Sequence, residues 1–290
     1  SGVLQPALEA AGILCCIVPR RMPKFDPLWV ARLAQAFRRD RIDIVHTHLF
    51  GDSLHGYLAA AWPGRLPVIM TLHCGAEAHT KLQQFGYRWL LRRTAQNVAC
   101  SPSVQRYFEG LAAPRSIGIM TIPNGVEPPS AAPPVDVRVL LGLSAASLVI
   151  GAVGRLVPQK GYDLLLDAFA TVIESGAPDV RLVLVGDGPL RAELSAQAER
   201  LGIGGKVVFA GFRADAAQII GAFDIVVFSS LYEGMSIALL EAMAASRCIV
   251  ATRVAGILDA LEPGREALVV PVRDISGLAQ ALSQALLDTG

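Results

Sequence analysis

The sequence predicts two α/β domains, residues 1–130 and 131–290, each built on a parallel, doubly wound sheet. Three observations carry that expectation. Short apolar runs of strand length alternate with stretches whose apolar residues recur at helical spacing, and such alternation gives parallel strands covered by helices on both faces. The alternation stops once: PPSAAPPVD, residues 128–136, has no periodicity and reads as an interdomain linker. Beyond it the rhythm restarts. Two such domains are expected to face each other across a cleft.

In order, residues 3–11 read as a helix and Ile13–Val18 as a strand. A helix follows over 27–39, where Leu28, Val30, Leu33, Ala34 and Phe37 share a face. Ile42–His46 is the next strand, 53–61 a short helix, and Val68–Leu72 a strand ending at His73. A helix at 80–94 leads to a strand at Asn97–Ala99, then to a helix whose N-cap is Ser101. Gly118–Ile122 is a strand closing on Pro123-Asn124-Gly125. After the linker, strands fall at 148–153, 181–185, 206–209, 224–228, 248–251 and 267–270. Helices fall at 161–174, 189–201, 214–221, 236–245, about 256–261, and from 275.

Bulk properties narrow the class. The 290 residues are enough for two cores, and although 52% are apolar, Gly and Pro break every apolar run of membrane-spanning length. Residues 1–130 hold 14 Lys and Arg against 8 Asp and Glu, whereas residues 131–290 hold 12 against 17. A +6 half is compatible with an anionic lipid surface or an anionic acceptor, and no nucleic-acid partner is expected. Cys15, Cys16, Cys74, Cys100 and Cys248 are odd in number and form no C-x-x-C, which is cytosolic usage without a disulfide framework.

The chemistry concentrates in residues 223–245, FDIVVFSSLYEGMSIALLEAMAA. A buried strand turns through Ser229–Tyr232 and enters a helix at about Ser236. Glu233 lies in the turn and Glu241 inside the helix, roughly 12 Å apart at the helical rise. That span matches a hexose and a ribose across a diphosphate, at the kind of strand-to-helix junction where unpaired N–H groups and the helix dipole attract anions. Read alone, the pair is equally two solvated glutamates on a helix. Gly154-Arg155 after the strand IGAV, with Lys160-Gly161 opening the next helix, would cradle a diphosphate, or be a loop with two solvated cations. The turn Gly186-Asp187-Gly188 is common in α/β folds, and no phosphate-loop motif occurs. His46, His48 and His73, at the ends of neighbouring strands, allow a rival reading as the metal site of a hydrolase, although no carboxylate completes the set.

GRLVPQKG, LVGDGPLR, VVFAGF, SSLYEGMSIALLEAMA and ATRVAGILDAL, in this order and at these separations, resemble the nucleotide-sugar half of retaining glycosyltransferases of family four, which have the GT-B fold of two Rossmann-like domains. IPNGVE resembles the family's passage into that half, and HTH…TLH its acceptor half. The resemblance implies a metal-independent hexosyltransferase that uses a UDP- or GDP-sugar, needs no cofactor, and serves a saccharide or lipid-linked acceptor. Cell-surface polysaccharide or glycolipid synthesis in the cytoplasm, at the inner face of the membrane, would be its setting. It implies that Glu233 holds hydroxyls of the transferred sugar and Glu241 those of the ribose. Arg155 and Lys160 would neutralise the diphosphate, and Gly154 would line the donor site. Gly234 and Met235 would offer N–H groups beside Ser236, Asn124 would line the donor site, and His73 would sit near the sugar or acceptor. Against the family pattern, the chain is expected to be truncated at both ends, its first domain short of about two strands and a helix. The usual Gly-Gly-x-x-Glu loop appears as Ala255–Asp259. A nucleotide-sugar-binding module without transfer, or a phosphorylase or sugar-phosphate synthase, are the other readings, and turnover and product analysis separate them.

Overall fold

The computed structural model of the chain describes residues 5–22, 25–62, 64–75, 79–114, 117–128, 137–140, 142–177 and 179–289. The chain divides into two compact units. One comprises Ser1–His73, His79–Ala99 and Gln105–Thr121, and the other Cys74–Ala78, Cys100–Val104 and Ile122–Gly290. The last change of unit along the chain comes between Thr121 and Ile122. Beyond Pro128, the expected linker lies outside the described residues.

Helices α1 (Gln5–Ala10) and α2 (Pro27–Arg39) open the chain. Then β1 (Val45–His48), α3 (Phe50–Ala61), β2 (Val68–Leu72), α4 (Lys81–Leu90), β3 (Gln96–Ala99), α5 (Pro102–Ala112) and β4 (Ile119–Thr121) follow. The four strands are parallel, in the order β1-β2-β3-β4. Local chemistry sets the helix starts. Asp26 caps α2 by accepting the Trp29 N–H at 3.0 Å, with Pro27 in the first turn. Thr80 and Gln83 form a reciprocal capping box on α4. Ser101 Oγ accepts the Val104 N–H at 3.3 Å, the cap expected from sequence.

Two expectations for this unit need correction. Ile13–Val18 forms no strand. Side chains of α2 take acceptors at its end instead: the Trp29 indole N–H donates to the Val18 carbonyl at 2.8 Å, and Arg32 donates to the carbonyl of the next residue, Pro19, at 3.3 Å. Pro19 has no N–H with which to extend a ladder. The strand expected over Ile42–His46 begins only at Val45, because Ile42 closes α2 by donating its N–H to the Phe37 carbonyl, after a left-handed Arg41.

The second unit holds a short helix α6 (Val137–Leu140), then β5 (Leu148–Val153), α7 (Tyr162–Glu174), β6 (Val180–Val185), α8 (Arg191–Arg200) and β7 (Val207–Gly211). Its second part runs α9 (Ala216–Ile220), β8 (Ile225–Phe228), α10 (Ile237–Ala244), β9 (Cys248–Thr252), α11 (Ala255–Leu258), β10 (Leu268–Val270) and α12 (Ile275–Thr289). All six strands are parallel, in the order β10-β9-β8-β5-β6-β7. Side chains on the central strands β5, β6 and β8 are buried nearly throughout and alternate between two cores with a period of two. Ile150, Ala152, Leu182, Leu184, Ile225 and Val227 face the core shared with α7, α8 and α12. Val149, Val183, Val185, Val226 and Phe228 face the core shared with α9, α10 and α11. Two separate cores on one sheet are the signature of a doubly wound fold.

That strand order reverses between β5 and β8. The helices after these two strands go to opposite faces, and this leaves a crevice at the strand C-termini, where open α/β sheets bind their ligands. The loops carrying Gly154–Lys160 and Ser229–Ser236 leave this one switch point.

Candidate functional site

The loop after β5 makes a short 3-10 turn at Pro158–Lys160 and enters α7 through Gly161, whose φ is 59°. No other residue suits Gly161: beyond the left-handed backbone, a Cβ there would overlap the Ser229 carbonyl oxygen. The two loops are laced together by main-chain contacts. Leu231 N–H donates to the Gln159 carbonyl at 2.8 Å, Ser229 Oγ to the Lys160 carbonyl at 2.8 Å, and Gln159 Nε2 to the Tyr232 carbonyl at 3.0 Å.

The turn before α10 is held from further sides. Thr252 Oγ1, at the end of β9, donates to the Ser230 carbonyl at 2.6 Å. Asn124 Nδ2 donates to the Met235 carbonyl at 3.2 Å. Gly256 in α11 lies so close that a Cβ would overlap the Gly234 carbonyl oxygen. Ser236 caps α10, its Oγ accepting from the Leu239 N–H at 3.4 Å. The N–H groups of Gly234 and Met235 meet no protein acceptor among the described residues. A buried peptide N–H left over at a helix start is an anion site in waiting.

Charge is arranged around this scaffold. Lys160 Nζ lies 2.5 Å from Glu233 Oε1, with side chains only 16% and 8% exposed. Ser230 Oγ donates to the same oxygen at 2.7 Å and Gln159 Nε2 to the other at 3.3 Å. The sequence suggested a sugar-holding carboxylate and a phosphate-holding cation as separate features; they are one ion pair. Arg155 is exposed and makes no ion pair among the described residues, and Gly154 is backed by the Lys160 stem and the Tyr162 hydroxyl. Burial, then the Glu233 charge, pushes the Tyr162 phenol well above its ordinary value, so it stays neutral.

Glu241 is half-buried without a protein hydrogen-bond partner among the described residues, and burial pushes its carboxyl above the ordinary range. Because α10 begins at Ile237, the helical rise that suggested roughly 12 Å between the glutamates covers only the latter half of their separation.

In the other unit, His46 and His48 project from β1 and His73 follows β2. His48 Nδ1 and His73 Nε2 share a hydrogen bond at 2.9 Å, and His46 Nε2 bonds Thr71 Oγ1 at 2.8 Å. The rings are thus turned toward each other and the sheet. Among the described residues no three His, Cys, Asp or Glu side chains converge to hold a metal ion. Burial first, and the neighbouring imidazoles next, lower the affinity of His48 and His73 for protons.

Residues that sequence reasoning missed are Gln159, Ser230, Thr252 and Gly256. Gln159, Thr252 and Gly256 act on a loop distant in sequence, so their signal is tertiary, whereas Ser230 acts within its own turn, three residues from Glu233. The Ala255–Asp259 stretch keeps a fixed contact: Asp259 Oδ2 accepts the Ser103 N–H at 2.8 Å.

Residues 147–288 match the family described as "Glycosyl transferases group 1", and residues 6–129 match "Glycosyltransferase Family 4". The 2-deoxystreptamine N-acetyl-D-glucosaminyltransferase of Streptomyces fradiae is 30% identical over 285 residues, covering 90% of this chain and 67% of that protein. The chain belongs to glycosyltransferase family 4. Another relative of this family-4 glycosyltransferase is the UDP-Gal:alpha-D-GlcNAc-diphosphoundecaprenol alpha-1,3-galactosyltransferase of Escherichia coli. It is 29% identical over 264 residues, which are 86% of this chain and 68% of that protein. Among solved structures, Anabaena Alr3699/HepE in complex with UDP and glucose superposes with a TM-score of 0.87 at 26% identity, covering 99% of this chain and 80% of that one. Two parallel-sheet α/β units and this likeness identify the GT-B fold. The chain thus spans about two thirds of the length of these curated relatives.

Proposed function

We propose that the chain transfers a hexosyl unit from a UDP-sugar to a lipid-linked saccharide, with retention of anomeric configuration and without a metal ion. The observation that carries this reading is the Lys160–Glu233 pair at the switch point, flanked by exposed Arg155 and the unsatisfied N–H groups of Gly234 and Met235. A diphosphate meeting two cations and a helix start finds the charge compensation that a divalent ion would supply elsewhere. UDP is favoured over GDP as the donor nucleotide by the UDP held in the Anabaena structure, and the lipid-linked acceptor by the Escherichia coli relative's name. Cell-surface polysaccharide synthesis at an anionic membrane is the corresponding setting.

In the reaction, the bond from the anomeric carbon to the β-phosphate oxygen breaks, and the acceptor oxygen bonds that carbon on the same face. The acceptor's proton goes to the departing phosphate. Arg155 and Lys160 stabilise the charge that grows on the diphosphate. Glu233, held by Ser230 and Gln159, accepts from the sugar hydroxyls once Lys160 turns part of its bonding to phosphate. Glu241 accepts from the ribose hydroxyls. His73 faces the sugar or acceptor as a neutral imidazole.

Turnover with UDP-hexose and a polyprenyl-diphosphate saccharide, in EDTA, tests the reading. The α-donor should give an α-linked product by NMR. Activity that vanishes in EDTA and returns with manganese overturns the metal-free part, and a β-linked product overturns retention.

A further inference from the structure

Tyr162 is a buried ionisable group that the reaction above leaves unused. It stands at the first position of α7, just past Gly161, and is 4% exposed. Its ring belongs to the core shared with Leu165, Leu166 and Leu184. Its hydroxyl reaches the loop after β5 instead. A Cβ added to Gly154 would lie 3.0 Å from that oxygen and 3.0 Å from Lys160 Cε. The side chain that Gly154 lacks thus leaves a notch walled by a phenol O–H and a lysine stem. Lys160 Nζ is one bond beyond Cε, so a hydroxyl and an ammonium flank one small volume at the end of β5. Among the described residues the Tyr162 hydroxyl makes no hydrogen bond. A buried O–H without a protein acceptor costs free energy, and a core position that needs only a ring is met by phenylalanine. Burial, and then the Glu233 charge, keeps the phenol protonated, so its proton is there to be donated.

We propose that the Tyr162 hydroxyl donates a hydrogen bond to the sugar-bearing phosphate of the donor, seated in the notch over Gly154. This contact rests on the reading of a UDP-sugar site at the switch point, and adds to it a donor that carries no charge. The phosphate next to the sugar is meant because of Lys160, the other wall of the notch. Lys160 also pairs at 2.5 Å with Glu233, the carboxylate read as holding the sugar. A further cation in Tyr162's place would compete for Glu233. A neutral O–H leaves that pair intact, and its bond strengthens as charge grows on the leaving phosphate.

The test is calorimetric titration of the 290-residue chain and of its Tyr162→Phe variant with UDP and with UMP. Phenylalanine keeps the ring in the core, so the thermal midpoints of the two unliganded proteins should nearly agree. UDP should bind the variant about tenfold more weakly, the loss of one hydrogen bond to a charged group. UMP, which lacks the second phosphate, should bind both proteins alike. A second measurement leaves the hydroxyl in place: 3-fluorotyrosine is incorporated at Tyr162 alone and its fluorine resonance followed. That resonance should move on adding UDP and much less on adding UMP. Equal UDP affinities, or a UDP loss matched by an equal UMP loss, overturn the contact. So does a fluorine resonance that saturating UDP leaves where it was. UDP binding that Tyr162→Phe does not weaken removes this contact alone. A wild-type chain that binds no UDP removes the donor-site reading, and the contact with it.

Discussion

The turn between β8 and α10 and the histidine cluster on β1 and β2 both sit at the C-terminal ends of parallel strands, yet they are built by opposite means. The turn is fixed through its backbone. Leu231, Ser230 and Met235 engage the main chain or side chains of three other segments, and Gly161 and Gly256 let those segments close to contact. The histidines are held by their rings, through one bond between His48 and His73 and one from His46 to Thr71, with His46 and His48 exposed. A backbone-braced turn suits a ligand group of one shape, such as a diphosphate. Ring-held imidazoles can rotate and exchange protons, which suits a variable hydroxyl partner.

The sharpest way to break this comparison is to unpair the braced site. Lys160→Met should leave the Glu233 carboxylate buried beside only Ser230 and Gln159, destabilising the fold by about 3 kcal/mol and lowering turnover at least about a hundredfold. Adding Glu233→Gln should recover much of the stability and none of the turnover. Urea denaturation and initial rates read both, and a Lys160→Met protein as stable as the parent would show that the pair is not a closed unit.

Gly256→Ala should come next. Its methyl group would overlap the Gly234 carbonyl, so the turn must shift, with a stability loss of about 1–3 kcal/mol and a matching fall in UDP affinity by calorimetry. An unaltered affinity would mean that the bracing from α11 has no bearing on the donor.

Glu241→Gln should weaken UDP binding about tenfold or more, as ribose hydroxyls lose a charged acceptor. Its effect on stability has the opposite sign. The folded carboxyl binds its proton more tightly than the unfolded one, so wild-type stability is fullest below the unfolded value and declines as pH rises through the folded one. Glutamine removes that decline, and urea midpoints compared at acid and neutral pH should show the variant gaining on the parent as pH rises.

The smallest effect belongs to the ring-held cluster. Folding depresses the proton affinity of His48 and His73, so their contribution is present above the unfolded value of 6.5 and lost as pH falls through the folded one. His48→Asn should flatten the acid limb of the stability profile by a few tenths of a kcal/mol. A profile unchanged by the substitution would show that the pair titrates as it does in the unfolded chain.

Local signals in the sequence proved sufficient for much of this. The β8–α10 junction was legible because strand, turn and N-cap lie within a few residues, and the six-strand rhythm of the second unit was legible because each strand alternates or runs apolar. The Lys160–Glu233 bond was not, since its partners are 73 residues apart and meet only through the strand order. Nor was the fate of Ile13–Val18. Its apolar run is indistinguishable from a strand until Trp29 is seen to take the Val18 carbonyl and Arg32 that of Pro19 just beyond it. The bracing roles of Thr252 and Gly256 depend likewise on neighbours that only the folded sheet supplies.

The reversal of strand order between β5 and β8 has a consequence for how the second unit comes into being. As the chain is synthesised, β5 finds β6 and β7 on one edge early, but its other edge stays open until β8, β9 and β10 have emerged. Arg155 and Lys160 belong to the early half and Glu233 and Glu241 to the late one. A nucleotide gripping both would therefore meet only the cations in a half-made unit and both sets of partners in a finished one. On the proposed donor site, occupancy would then act as a latch across the seam between the halves, raising the free energy of pulling them apart by RT ln(1 + [L]/Kd). Limited proteolysis between β7 and β8, slowed by UDP in proportion to that term, is how the latch would be seen.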